Sequence, residues 1–189
     1  MAVTIGTNSG FVTVAPTADP AGTNLNQDAQ VLVSKDTSPA TAAKIIEVGW
    51  YADNATEAAN YRIGLFAADG TVVPGEAGTR LFQTDLTAKG TDAGWKVVTV
   101  DWDIDPETPY WSAISLGDTA TTTNINYNPN SGAGGIDRVG GTGGDIAATW
   151  SGGAILDTTA ASAVYLVWEA AAAGGTTPVG PTLLTLGAG

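Results

Sequence analysis

Trp95-Lys96-Val97-Val98-Thr99-Val100-Asp101-Trp102-Asp103-Ile104 is the stretch that decides the fold. Val98, Val100, Trp102 and Ile104 alternate with Thr99, Asp101 and Asp103, the period-two pattern of a strand with one face buried. Working outward, residues 105–109 read as a turn around Pro106 and Pro109, and residues 110–116 as the next strand. Upstream, residues 44–51 put Ile46, Val48 and Trp50 on one face, opposite Ile45, Glu47, Gly49 and Tyr51. Residues 60–67 set Tyr61, Ile63 and Leu65 against Arg62, Gly64 and Phe66, and a loop or short helical turn is expected before them. Asp69-Gly70 predicts a tight turn between 65–67 and 71–73, Pro74-Gly75 ends that piece, and residues 79–84 form another short strand. Residues 163–169 close the series with Val164, Leu166 and Trp168 on one face. Weaker strand signals lie at 11–14, 30–34 and 124–127, while 87–94 reads as a loop.

That gives roughly eight to ten short strands, no amphipathic helix and no long repeat, so an all-β antiparallel sandwich is expected. The 189 residues suit one domain, with 43% hydrophobic and only 14% charged residues. The 25 glycines and 9 prolines favour short strands and loops. Three parts are expected: an N-terminal arm with a first short strand over 1–29, the sandwich over 30–169, and a C-terminal arm over 170–189. Residues 117–149 are Thr-rich and then Gly-rich, and a stretch of that length is functional, mobile or holds unrecognised strands.

Composition excludes whole classes of chemistry. Without Cys there is no disulfide framework, thiol nucleophile or zinc thiolate. Without His there is no Ser-His-Asp triad and no HExxH metal site. A net charge of −12 argues against a nucleic-acid surface. No apolar run approaches the ~20 residues that span a bilayer, and no basic-then-apolar leader follows Met1, so synthesis and folding in a cytoplasm are expected. Asn54-Ala55-Thr56 matches a glycosylation sequon, which reads as a plain loop in that setting.

The candidate sites are few. Asp101, Asp103 and Asp105 lie about 7 Å apart per step along a strand, which suits a solvated face better than a calcium loop. Gly140-Gly141-Thr142-Gly143-Gly144-Asp145-Ile146-Ala147 approaches a calcium-binding repeat, but a single copy reads as a loop. No metal, cofactor or catalytic residue is therefore assigned; paired carboxylates are the one remaining enzymatic option, and 19 acidic residues make proximity uninformative. Trp50, Trp102 and Trp168 share the apolar register and are expected in the core. Trp95, Tyr110, Trp111 and Tyr127 are candidates for a sugar-stacking platform, with burial under a loop or against a subunit as the competing reading. Leu183, Leu184 and Leu186 follow a Gly174-Gly175-Thr176-Thr177-Pro178 linker, and burying them is worth roughly 4–8 kcal/mol before ordering costs. They are expected to form an assembly arm, with folding back onto their own domain as the alternative.

Three segments carry a resemblance: residues 44–51, then Tyr61-Arg62-Ile63-Gly64-Leu65-Phe66 with Asp69-Gly70 and Val73-Pro74-Gly75, then Gly94-Trp95-Lys96 followed by Thr108-Pro109-Tyr110-Trp111-Ser112-Ala113-Ile114. In this order they resemble jelly-roll β-sandwich modules of tailed-phage structural proteins and some bacterial surface proteins. The resemblance covers residues 44–116, with the closing strand in addition; the Gly-rich 131–145 and the tail from Ala170 have no counterpart in it. It implies a non-enzymatic virion protein made in the host cytoplasm: a capsid decoration or head-fibre subunit, or a tail module. Partners would be further copies, as a trimer or pentamer, and a major capsid or tail protein. The alternative is a carbohydrate-binding module that attaches a phage fibre or a bacterial surface protein to cell-surface glycan.

Overall fold

In the computed structural model, residues 1–26, 30–52, 60–71, 75–117, 124–129, 135–140, 145–152 and 159–171 are described. The pivot is strand β4, Ala42–Ala52, numbered after β1 (Gly10–Val12), β2 (Thr23–Asn26) and β3 (Gln30–Thr37). After it come β5 (Asn60–Ala67), β6 (Arg80–Gln83), β7 (Thr87–Ala88), β8 (Gly94–Asp103) and β9 (Pro109–Leu116). Then follow β10 (Asn124–Asn128), β11 (Ile136–Gly140), β12 (Ala161–Ser162) and β13 (Val164–Ala170). In one sheet β4 pairs antiparallel with β13 on one edge and β8 on the other, and β1 lies parallel to β13. Beyond Ala52 the sheet continues through Ile125 into β10, which also pairs with β2 and β12. The second sheet runs β11-β3-β9-β5-β6, with β7 also on β5. Strands β3, β4 and β5 alternate between sheets, as do β8 and β9, before β13 closes beside β4. That interleaving is jelly-roll winding of an all-β sandwich. The parallel β1 is its one departure from antiparallel pairing among the named strands.

The inter-sheet core follows the alternation. Tyr61, Ile63 and Leu65 meet Val48, Trp50, Trp102, Ile104, Val164 and Leu166, with Trp168 partly buried at the margin. Trp50 packs edge-on against Tyr61 at 5.6 Å, and Phe82 stacks on Trp102 at 5.4 Å. Buried hydroxyls also cross the gap: Ser34 and Ser162 are hydrogen-bonded at 2.7 Å.

One face assignment is corrected. Ile45, not Ile46, enters the core, and Ile46 packs outside near Val12, Tyr165 and Val167. The β4–β8 register shifts between Ile45 and Glu47, opposite a second shift on β13. Such an irregularity reverses side-chain parity beyond it.

Part of each outer face is covered, while the outer side of β8, with Val97, Asp101 and Asp103, stays exposed. Val31, Val33, Phe66, Trp111 and Ala113 lie beneath residues 145–150, with Ile146 inserted among them. Arg80 Nη1 and Ser115 Oγ donate to the carbonyls of Ile146 and Asp145 respectively. Gly64 leaves the room: a Cβ there would stand 3.0 Å from Ile146. On the other sheet, residues 1–22 are part of the sandwich rather than the expected arm. Val3 is fully buried against Tyr51, Ala161 and Ala163. Asn128 Nδ2 donates to Val3 and Asn126 Nδ2 to Pro20, at 3.0 and 2.6 Å. Asp36 accepts the Phe11 amide at 2.8 Å, and Gly10 there has φ +63°.

Two loop expectations also change. Asp69-Gly70 does not make a two-residue hairpin; β5 pairs with β6 across a longer loop. Asp69 closes it by accepting from Thr79 N and Oγ1 at 2.7 and 2.8 Å. The long 117–149 stretch contains β10, one of the weak strand signals, and β11, which gave none. The sequon, Gly141 to Gly144 of the Gly140–Ala147 repeat, and Leu183, Leu184 and Leu186 lie outside the described residues.

Candidate interaction site

At the foot of the sandwich the start of β4, the end of β8 and the end of β13 converge on an apolar groove of about 380 Å3. Ala40, Ala42, Ala43, Ile104, Pro106 and Ala171 line it. One wall is the 105–109 turn, held by the side chains of Ser38 and Tyr110. Ser38 Oγ donates to the Asp105 carbonyl at 2.6 Å and accepts the Thr108 amide at 2.9 Å. The backbone of Ser38 binds Thr108 and Glu107 in the same place. Tyr110 Oη accepts the Asp105 amide at 2.9 Å. These contacts hold Glu107 at φ 51°, a left-handed conformation that a non-glycine residue adopts only when its surroundings impose it. Hydrogen bonds within the fold therefore set this wall of the groove.

The sugar-stacking candidates are not brought together. Tyr110 is 4% and Trp111 0% exposed. Tyr110 faces the inter-sheet core, while Trp111 lies under the outer cover and donates its indole N–H to Gly75 at 3.1 Å. Trp95 is on the other sheet, edge-on to Tyr51 and Tyr165, with its indole N–H donated to Ala18. Tyr127 is half-buried against the main core. Tyr110 and Trp111 thus offer no ring face to a ligand, and the four share no surface.

The acidic row is occupied differently from a cation site. Lys44 Nζ lies within ion-pair distance of Asp101 and 3.6 Å from Asp103, both largely exposed. Hydrogen bonding to Asp101 holds the Lys44 ammonium above its ordinary pKa. Asp105 sits past the strand end, its carbonyl bound by Ser38.

A second cleft of about 200 Å3 brings Asp69, Glu76, Thr79 and Trp150 together. The hydrogen bonds from Thr79 hold the Asp69 carboxyl below the usual carboxylate range. Neither depression was among the sequence candidates. Ser38-Pro39 was the legible clue to the groove, since Ser before Pro favours turn chemistry. Trp150 and Glu76 carried no distinguishing signal.

No protein-family model, curated protein or solved structure matches the chain.

Proposed function

We propose that the chain is a non-enzymatic virion structural protein, a capsid decoration or auxiliary subunit of a tailed phage that assembles as a homo-oligomer. The carrying observation is that the strand segments of the phage-module resemblance, 44–51, 61–66, 94–96 and 109–114, fall in β4, β5, β8 and β9 of an all-β sandwich, whereas its Asp69-Gly70 hairpin does not form as expected. The non-enzymatic part rests on chemistry already engaged in structure. Asp69 is held by Thr79, Asp101 by Lys44, Asp36 by Phe11 and Thr37, and Glu47 by Tyr165. The glycan-binding alternative has no comparable support, because its aromatics share no surface. Immunogold labelling of particles from cells that carry this sequence tests the reading. Label in a regular array on the shell is expected. Recovery of the chain only in the soluble fraction overturns it.

A further inference from the structure

We infer that the open side of the sandwich, where β8 has a free edge, is a two-fold interface with a second copy; this rests on the homo-oligomer of the proposed function. Strand β8 is ten residues long and pairs with β4 alone, so among the described residues its other edge meets no strand. A row of backbone donors and acceptors left in that way is a template for another strand. The core also surfaces on this side. Val98, Val100 and Phe82 pack on the core yet stay partly exposed. Leu81 and Leu86 on the β6–β7 edge are each 43% exposed, and Val97 on β8 is 46% exposed. Between the two edges Leu81, Phe82, Ile104 and Tyr110 line a depression of about 280 Å3 together with Asp103 and Asp105.

The occupant is a second copy because this side complements itself. Strand β8 is basic near its start, at Lys96, and acidic near its end, at Asp101 and Asp103, where Lys44 balances one of the two charges. A two-fold axis through β8 pairs the strand with itself antiparallel, so unlike ends meet. Centred on Val98, such a pair sets Lys96 of each copy opposite Val100 and next to Asp101 of the other. Opposite charges so placed favour the contact. The same axis exchanges the two ends of the apolar side. Leu86 lies at the Lys96 end, since Thr87 pairs with Tyr61, which packs on Trp50, and Trp50 lies opposite Lys96. The depression lies at the Asp103 end, where Phe82 stacks on Trp102. Each Leu86 is therefore brought towards the depression of the other copy. The chain's own sequence after Ala171 lacks this match: its eighteen residues carry no charge, and Pro178 and Pro181 cannot donate to a ladder. The contact is isologous and closes at two copies, in place of the trimer or pentamer that the resemblance implies.

The test is sedimentation equilibrium of the full chain and two full-length charge variants, Lys96→Glu and Asp101→Lys, at micromolar concentration and physiological ionic strength. The full chain is expected to be a dimer. Each variant alone sets like charges against each other and should dissociate at least about tenfold more readily. Mixed, the two should dimerise again, because every Lys96–Asp101 contact then joins unlike charges. Leu86→Glu, at an exposed position, should also weaken the dimer and stands in for a charge variant that fails to fold, with circular dichroism reporting folding. A monomeric full chain, an oligomer of another size, variants as tightly paired as the parent, or a mixture that stays apart overturns the inference. A dimer of this kind that never enters a particle overturns the virion reading and leaves this contact standing. A chain that decorates particles yet is monomeric in solution overturns this contact and leaves the virion reading standing.

Discussion

Replacing Gly49 by Ala tests how the outer face of the β4–β13 pair is built. Gly49 lies directly opposite Tyr165, whose ring covers it. A Cβ there would stand 2.5 Å from Tyr165 Cε1 and 2.6 Å from Cζ and Oη, roughly 0.9 Å inside ordinary contact. The ring has no free direction of retreat. It is fully buried, edge-on to Trp95 at 5.2 Å, and its hydroxyl donates to Glu47 at 2.9 Å. Burial, followed by the Glu47 contact, pushes the phenol far above its ordinary pKa, so it stays a donor. Removing glycine from a strand interior is by itself worth about 0.5–1 kcal/mol of stability. Overpacking costs about 1–3 kcal/mol, and weakening a hydrogen bond to a carboxylate adds to it. The net loss expected is about 1.5–3 kcal/mol, a fall in Tm of about 4–10 °C for a chain of this size. Thermal unfolding followed by tryptophan fluorescence reads it directly. Introducing the same change into a Tyr165→Leu background should reverse the sign, because the clash is gone and only the backbone gain remains. A Gly49→Ala protein as stable as the parent, or a loss that persists in the Tyr165→Leu background, would refute the reasoning.

Two further outcomes follow from the carboxylates. Burial raises the Asp36 pKa above its ordinary 3.8, against the lowering effect of the Phe11 and Thr37 amides. The folded state therefore binds this proton more readily than the unfolded chain, and stability falls as pH rises from the ordinary value through the raised one. Asp36→Asn should remove that slope; a Tm difference between variant and parent that is constant from pH 4 to about pH 6.5 would count against it. Because Lys44 supplies the counter-charge to Asp101 and Asp103, a chelator should shift Tm by less than about 1 °C. A fall of more than about 5 °C that calcium restores would mean that an ion supports the fold.

How much was legible depended on whether burial was set by neighbours in sequence or by distant cover. In β5, β8 and β13 the inward residues alternate without interruption, so period two was enough to place Tyr61, Ile63, Leu65, Trp102 and Leu166. Ile45 and Ile46 are equally apolar, and only a register shift against two partner strands decides between them. No local pattern encodes that shift. The N-terminal 22 residues looked like an arm because their attachment, through buried Val3, Phe11 and Val12 and through side-chain hydrogen bonds, is long-range. Asn126 and Asn128, more than a hundred positions away, hold Pro20 and Val3. Trp111 shows the same limit in a site residue: its alternation placed it on the outer face, but whether that face meets water depends on Ile146 and Trp150, isolated apolar residues in a polar stretch. Residues 1–22 and 145–150 cover the outer faces around Trp95 and Trp111, and Tyr110 and Tyr127 pack on the inter-sheet core, so the aromatic side chains that looked available for recognition stabilise the fold instead. The apolar surface of the groove lies where neither cover reaches, between Pro106 and Ala171, and its wall is held in part by a serine with no hydrophobic signal at all. A contact site of this kind is built from small residues and backbone hydrogen bonds, so periodicity finds the strands that frame it and passes over the site.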